Sequence, residues 1–342
     1  MKTRFAVLLL LTFLGFIAAK TDNPSERMNS AESADRSMWN NFHLGNYDSI
    51  PSVLKQLNEA YNNNPSDIRI TAHLGFVHLW AFCERGRKNA DSSIFLHIYE
   101  SNRFFKKAIK LNSHDPRLYG FQASVEICEG ALDNNLFKIE KGYVKSLLAI
   151  RRWKAFNKSA LSFIESQRDS NSFMFRQGIK YQWEVLNGCS CKKLTKKKIM
   201  ASPQKVLGDL IEELKATNDP LTKRACWNSW IAPHNLEGFF LNFGDMLVKH
   251  GDLEEAKEIY KAAKLSPSYK AWVYAPVLEE RLKNLEHNEK AFNQPLKLLY
   301  KKKEKQIFIN SKISCTGCHQ MSPDEFERMG YDPPSDEIYF LK

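Results

Sequence analysis

The stretch Phe243-Gly244-Asp245-Met246-Leu247-Val248-Lys249-His250-Gly251-Asp252-Leu253-Glu254-Glu255-Ala256-Lys257-Glu258-Ile259-Tyr260-Lys261-Ala262-Ala263-Lys264-Leu265-Ser266-Pro267 reads as two helices joined at a glycine. Ala256, Tyr260 and Ala263 are spaced four and three apart, so they share one helical face. Two small residues let a neighbouring helix approach, and the aromatic ring fills the remaining gap. Gly251 ends the first helix. Asp252 is placed to cap the second, with Glu254 and Glu255 in its first turn. Glu255 stands three residues after Asp252, as in a capping box.

Outward from this unit the same spacing recurs more weakly. Leu57, Ala60 and Pro65 hold the register of a second helix, and Gly75 follows ten residues after Pro65. Leu74-Gly75 opens a helix through Trp80 and Phe82. An insertion from Glu84 to Leu96 separates it from Phe105, Ala108 and Asn112, and Tyr119, Ala123 and Gly130 restart the pattern. The unit resembles a tetratricopeptide repeat (TPR), in which small residues mark the helix crossing and turn, and an Ala, an aromatic and a second Ala follow. The matching positions are Gly244, Gly251, Ala256, Tyr260 and Ala263, with Pro267 one residue early. The resemblance implies an all-α fold, a TPR-like helical-hairpin solenoid of three to five units with a concave surface for a protein partner. It names no ligand.

The chain divides accordingly. Residues 1–19 read as a secretory signal: Lys2 and Arg4, an apolar run from Phe5 to Ala18, then Ala18-Ala19 before Lys20. That run is short for a bilayer span, and no later one approaches eighteen apolar residues, so no integral span is expected in the mature chain. Residues 20–40 are expected to be a flexible segment, 41–130 TPR-like repeats and 131–240 a degenerate helical region. A repeat with a capping helix (Tyr274 to Leu285) follows over 241–300, then a tail over 301–342. Export points to a periplasmic or secreted protein in a compartment that permits disulfides.

The net charge of +11 falls to +9 when Lys2 and Arg4 leave with the signal. A basic balance favours acidic partners, and export makes nucleic acid a poor one. Lys192, Lys193, Lys196, Lys197 and Lys198 form an exposed basic loop over 189–198 that can dock an acidic partner, the chain's own acidic tail included. No phosphate loop, nucleophile elbow or metalloprotease pattern is present, so no catalytic residue is assigned.

The tail carries Cys315-Thr316-Gly317-Cys318-His319. On this composition roughly 0.004 such pentapeptides are expected by chance. The pattern resembles the haem-attachment site of c-type cytochromes. This implies haem c, with Cys315 and Cys318 as thioether anchors and His319 as an iron ligand. Met329 is the sixth-ligand candidate by spacing and a body histidine is another; Met321 is too near His319. The expected role is electron transfer or haem-linked sensing within a protein complex.

Alternatives stay open at this stage. The protein is then a non-enzymatic adaptor whose terminal cysteines form a disulfide, within the motif or with Cys189 and Cys191. A zinc knuckle from Cys189, Cys191, Cys315 and Cys318 is another alternative. A thioredoxin-like pair lacks the strand-rich domain it needs. Five further cysteines (Cys83, Cys128, Cys189, Cys191, Cys226) allow at most two disulfides among themselves.

Overall fold

The computed structural model describes residues 24–87, 92–217, 222, 226, 235–294, 309–310 and 312–329. The signal-like segment 1–19 lies outside them. Among the described residues every regular element is helical.

The N-terminal part runs through α1 (Pro24–His43), α2 (Ile50–Asn63), α3 (Ile68–Cys83), α4 (Leu96–Leu111), α5 (Pro116–Leu132) and α6 (Leu136–Arg152). The middle holds α7 (Lys154–Glu165), α8 (Phe173–Gly188), the short α9 (Lys196–Ala201) and α10 (Pro203–Ala216). The C-terminal part holds α11 (Leu236–His250), α12 (Leu253–Ala263), α13 (Ala275–Lys283), α14 (Leu285–Phe292), the single turn α15 (Thr316–His319) and α16 (Pro323–Met329). Successive helices pack as neighbours: α1 on α2, α3 on α4, α5 on α6, α7 on α8 and α11 on α12. No described helix is long and apolar enough to cross a membrane.

Local chemistry sets the helix starts. The Asp67 carboxylate accepts from the Arg69 and Ile70 amides to cap α3. Asp115 caps α5 ahead of Pro116, and Asn235 caps α11 by accepting from Gly238 N at 2.7 Å. Asp252 does not cap α12. Its carboxylate turns to His250 Nδ1 at 2.9 Å instead. Gly251 closes α11 at φ +93°, a conformation that glycine adopts without side-chain strain.

The stretch from Phe243 to Pro267 packs as its spacing requires. Ala256, Tyr260 and Ala263 are fully buried. A Cβ on Gly244 would stand 2.2 Å from the Tyr260 ring, so only glycine admits that ring between α11 and α12. The Tyr260 hydroxyl donates to Asp245 Oδ1 at 2.5 Å.

Residues 24–40 lie in α1, where Ala31, Ala34, Met38 and Trp39 form an apolar stripe that buries against α3. The region 131–240 carries the regular helices α6 to α10 and the start of α11, with Cys189 bonded to Cys226. Of the basic loop, Lys196, Lys197 and Lys198 open α9, although all five lysines are exposed. The cysteine motif, finally, is no peripheral appendage: α15 packs against both α1 and α11.

Candidate functional site: the Cys315–His319 turn

Residues 312–321 form a compact turn held from three sides. The internal bonds are those of a helical turn, with Gly317 N donating to Ile313 O, His319 N to Cys315 O and Gln320 N to Thr316 O. One turn puts residues three and four apart on neighbouring positions, so Cys315, Cys318 and His319 are grouped together.

The first wall is the end of α3. Glu84 is fully buried one residue past that helix. Its Oε1 accepts from Cys315 N (2.9 Å), Thr316 N (2.7 Å) and Thr316 Oγ1 (2.8 Å). A carboxylate on the leading amides of a helical turn satisfies donors that the turn itself leaves unpaired. Its Oε2 accepts from Trp80 Nε1 at 3.0 Å and pairs with Arg87 Nε at 2.8 Å. Arg87 then donates to Lys312 O, Gly45 O, Tyr274 OH and Thr316 Oγ1. One buried carboxylate and one guanidinium thus tie the turn to the end of α3, to the α1–α2 connection and to the residue before α13.

The second wall is α11 and the segment before α13. A Cβ on Gly238 would lie 2.3 Å from Gly317 O and 2.6 Å from Cys318 Cα, so the turn's backbone rests directly on the helix. Asn235 N donates to Cys318 O (2.7 Å), Trp272 Nε1 to Gly317 O (3.1 Å) and Asn242 Nδ2 to Cys318 Sγ (3.3 Å). Upstream, Asn310 Nδ2 donates to Asp245 Oδ2 at 2.6 Å, which joins the turn's approach to the carboxylate that receives Tyr260.

The third wall is aromatic. Met321 N donates to His43 O at 2.8 Å. The His319 ring lies 4.8 Å from Phe42, centre to centre. Cys315 and Phe326 pack on the cluster of Trp39, Phe42, Tyr47 and Trp80. His43 is buried, and burial lowers its pKa to about 3, so its imidazole is neutral.

Both motif thiols are protonated. Burial pushes Cys318 up to about 12, against the opposing pull of the Asn242 hydrogen bond. Cys315 is raised well above the usual thiol range by its hydrogen bond with Cys83 and by burial. Neither is therefore a thiolate nucleophile. Cys189 is bonded to Cys226, away from the motif, and no cluster of three or more metal-ligating side chains occurs among the described residues. Cys315 and Cys318 are not bonded to each other, nor to Cys191; all three are free thiols. Met329 sits in α16, but its side chain lies outside the described residues.

Thiols and an imidazole are the donor types of a covalent haem site. Two reduced thiols and an imidazole occupy one turn, whose Thr316-Gly317 edge is anchored on Glu84, Trp272 and Gly238. A packed aromatic cluster borders Cys315 and His319. Sequence reading did not find Glu84, Arg87, Gly238, Asn242, Trp272 or Tyr274. Glu84 meets Cys315 across 231 residues, and no periodicity signals a pairing of that range. No protein-family model, curated protein or solved structure matches this chain.

Proposed function

We propose that this chain is an exported, TPR-like helical scaffold that carries one haem c on Cys315 and Cys318, with His319 as iron ligand. The haem would serve electron transfer or haem-linked sensing in a protein complex. The observation that supports this most is the anchoring of the motif: its Thr316-Gly317 edge is pinned to polar groups, while Cys315 and His319 border an aromatic wall. Cys315 and Cys318 would hold the group by thioether bonds, the sulfur and hydrogen of each thiol adding across a vinyl double bond, so attachment would need no oxidant. When bound, the haem supplies one-electron chemistry at a potential set by its axial ligands and burial. Glu84 and Arg87 orient the turn, and Trp39, Phe42, Tyr47 and Trp80 keep water from it. Export is supported by the signal-like start and by a protein that carries a disulfide. The exposed lysines of 192–198 offer a surface for an acidic partner, although Lys196 already pairs with Glu255 at 2.7 Å.

The test is expression with a cytochrome-maturation system, followed by haem staining of a denaturing gel and intact mass. A coloured band with one haem of added mass, lost in Cys315→Ala and Cys318→Ala, is expected. A colourless band of apoprotein mass from the wild type would end the reading.

One observation favours the adaptor alternative: the Cys315 thiol is hydrogen-bonded to Cys83, and Ser314 Oγ donates to the Cys83 carbonyl at 3.1 Å. In that reading Cys315 is joined to Cys83, not to Cys318. A non-reduced peptide map showing a Cys83–Cys315 link in the exported protein, without haem, would select it.

A further inference from the structure

Helix α6 is apolar on two sides. Its inner face, with Gly142, Ser146, Ala149 and Ile150 buried, packs on α5 and α7. Its outer face carries Phe137, Val144 and Leu148, seven and four residues apart and so aligned in one stripe. They are 71%, 55% and 52% exposed, and Leu136 beside them is 72% exposed. Four of the ten large apolar residues exposed among the described residues thus sit on this one helix. Tyr99 of α4 adjoins its first turn, since the Tyr99 hydroxyl and Lys138 Nζ share the Asp133 carboxylate. Single apolar residues on a surface are ordinary, but a contiguous stripe marks a face that another surface covers.

The charge around the stripe selects the cover. The lysines of α6 are engaged with α5 and its C-terminal cap: Lys138 Nζ lies 2.7 Å from Glu129 and 2.6 Å from Asp133, and Lys145 and Lys141 stand 2.5 Å and 3.6 Å from Glu126. Arg152 donates to the carbonyls of Ser113 and His114. Balanced charge of this kind gives an anionic membrane or an acidic protein little free cation to hold. Glu140 and Arg151 are exposed, and neither has an ion-pair partner among the described residues. They stand eleven residues apart, close to three helical turns, so both lie on one edge of the stripe. About a centre level with Ser146, Val144 and Leu148 are equidistant, and Glu140 and Arg151 are nearly so. Two such helices laid antiparallel, face to face, bring like edges together and set the residues before the centre of one against those after the centre of the other. Val144 then meets Leu148 of the second copy, and Glu140 meets Arg151 of the second copy, each contact occurring twice.

We infer that the outer face of α6 is a homodimer interface, in which two copies of this chain pack their α6 helices antiparallel about a two-fold axis level with Ser146. The apolar stripe supplies the affinity. The Glu140–Arg151 pairs fix the register, because exposed ion pairs add little binding energy while like charges set opposite one another are penalised. Antiparallel packing also places opposite helix dipoles side by side. The interface uses none of the residues that hold the Cys315–His319 turn, and it stands with or without haem.

The test is sedimentation velocity of the full-length protein over a concentration series. A dimer with a dissociation constant of about 1–100 µM is expected, the weak end for an interface with few aromatic anchors. Val144→Glu, at an exposed position, should raise that constant at least about tenfold while helix content is unchanged. Glu140→Arg and Arg151→Glu should each weaken the dimer, and the double variant should regain most of the wild-type affinity. An effect on folding would not give that recovery. A wild type that stays monomeric throughout the series overturns the inference. So does a dimer that Val144→Glu leaves intact, or a double variant no better than the single ones. A monomer that instead sediments with phosphatidylglycerol vesicles, and loses this in Val144→Glu, assigns the face to a membrane and overturns it as well.

Discussion

Two glycines on one helix show how differently two regions of this molecule are made. Gly244 and Gly238 both lie on α11, six residues apart and thus on different faces. Gly244 admits the ring of Tyr260 from the very next helix. Gly238 admits the backbone of Gly317 and Cys318, some 80 residues onward. The first contact is built by local periodicity and a tight turn. The second closes a long loop, whose entropy must be offset by the bonds made on arrival. Those bonds are unusually polar for a packed junction: Glu84, Arg87, Asn235, Trp272 and Tyr274 all hold the same short turn. A local hairpin is held by shape, and a distant docking is held by satisfied hydrogen bonds.

The largest expected effect tests that contrast. Glu84→Gln replaces an acceptor with a donor facing Arg87 or the motif amides. It should cost about 3–5 kcal/mol, as for other broken buried ion pairs. Chemical denaturation would show it, and a loss below about 1 kcal/mol would mean the junction does not depend on this carboxylate.

Next come the glycines, each expected to lose about 1–3 kcal/mol on substitution by alanine through overpacking. Their distribution should differ. Gly244→Ala should raise amide exchange across α11 and α12, because Tyr260 and its bond to Asp245 are displaced. Gly238→Ala should raise exchange over residues 313–321 while α12 stays protected. The same exchange pattern in both variants would break the distinction.

The smallest effect is a pH dependence in α3 and α4, the part that receives the turn. His78 is lowered to about 3 by burial, with His97 and Arg103 adding to it; His97 is lowered by burial, with Glu100 opposing. The unfolded chain takes up protons near pH 6.5, and the folded pair resists until lower pH. Stability is therefore full above about pH 6.5 and is lost as pH falls toward 3. A loss on the order of 2 kcal/mol between pH 7 and 4.5 is expected from this pair, and the His78→Phe, His97→Phe double variant should lose less than wild type by about that amount, with buried His43 supplying part of what remains. An unchanged loss in that variant would assign it to other groups.

Much of the body was legible. Ala256, Tyr260 and Ala263 announced a packed helix face, and Leu57, Ala60, Phe105 and Ala108 are buried in the core. α16 begins at Pro323, a residue whose fixed φ suits the first helical turn. The α1 helix was missed because its mean hydropathy is low and its stripe is narrow, so tertiary burial rather than composition stabilises it. Asp252 was misread because its carboxylate bonds His250, two residues back, and makes no bond to the first amides of α12.

What the amino-acid order determined alone is everything carried by neighbours within a turn or two of helix: the all-helical class, the hairpin around Gly251, and a turn bearing two thiols and an imidazole. Only the tertiary structure decided where that turn resides, that Glu84 and Gly238 receive it, and that Cys83 and His43 are beside it. The reason is range. Spacing within a helix is encoded by its fixed rise and rotation. A contact across more than 200 residues depends on how every intervening helix packs, and no local pattern records it.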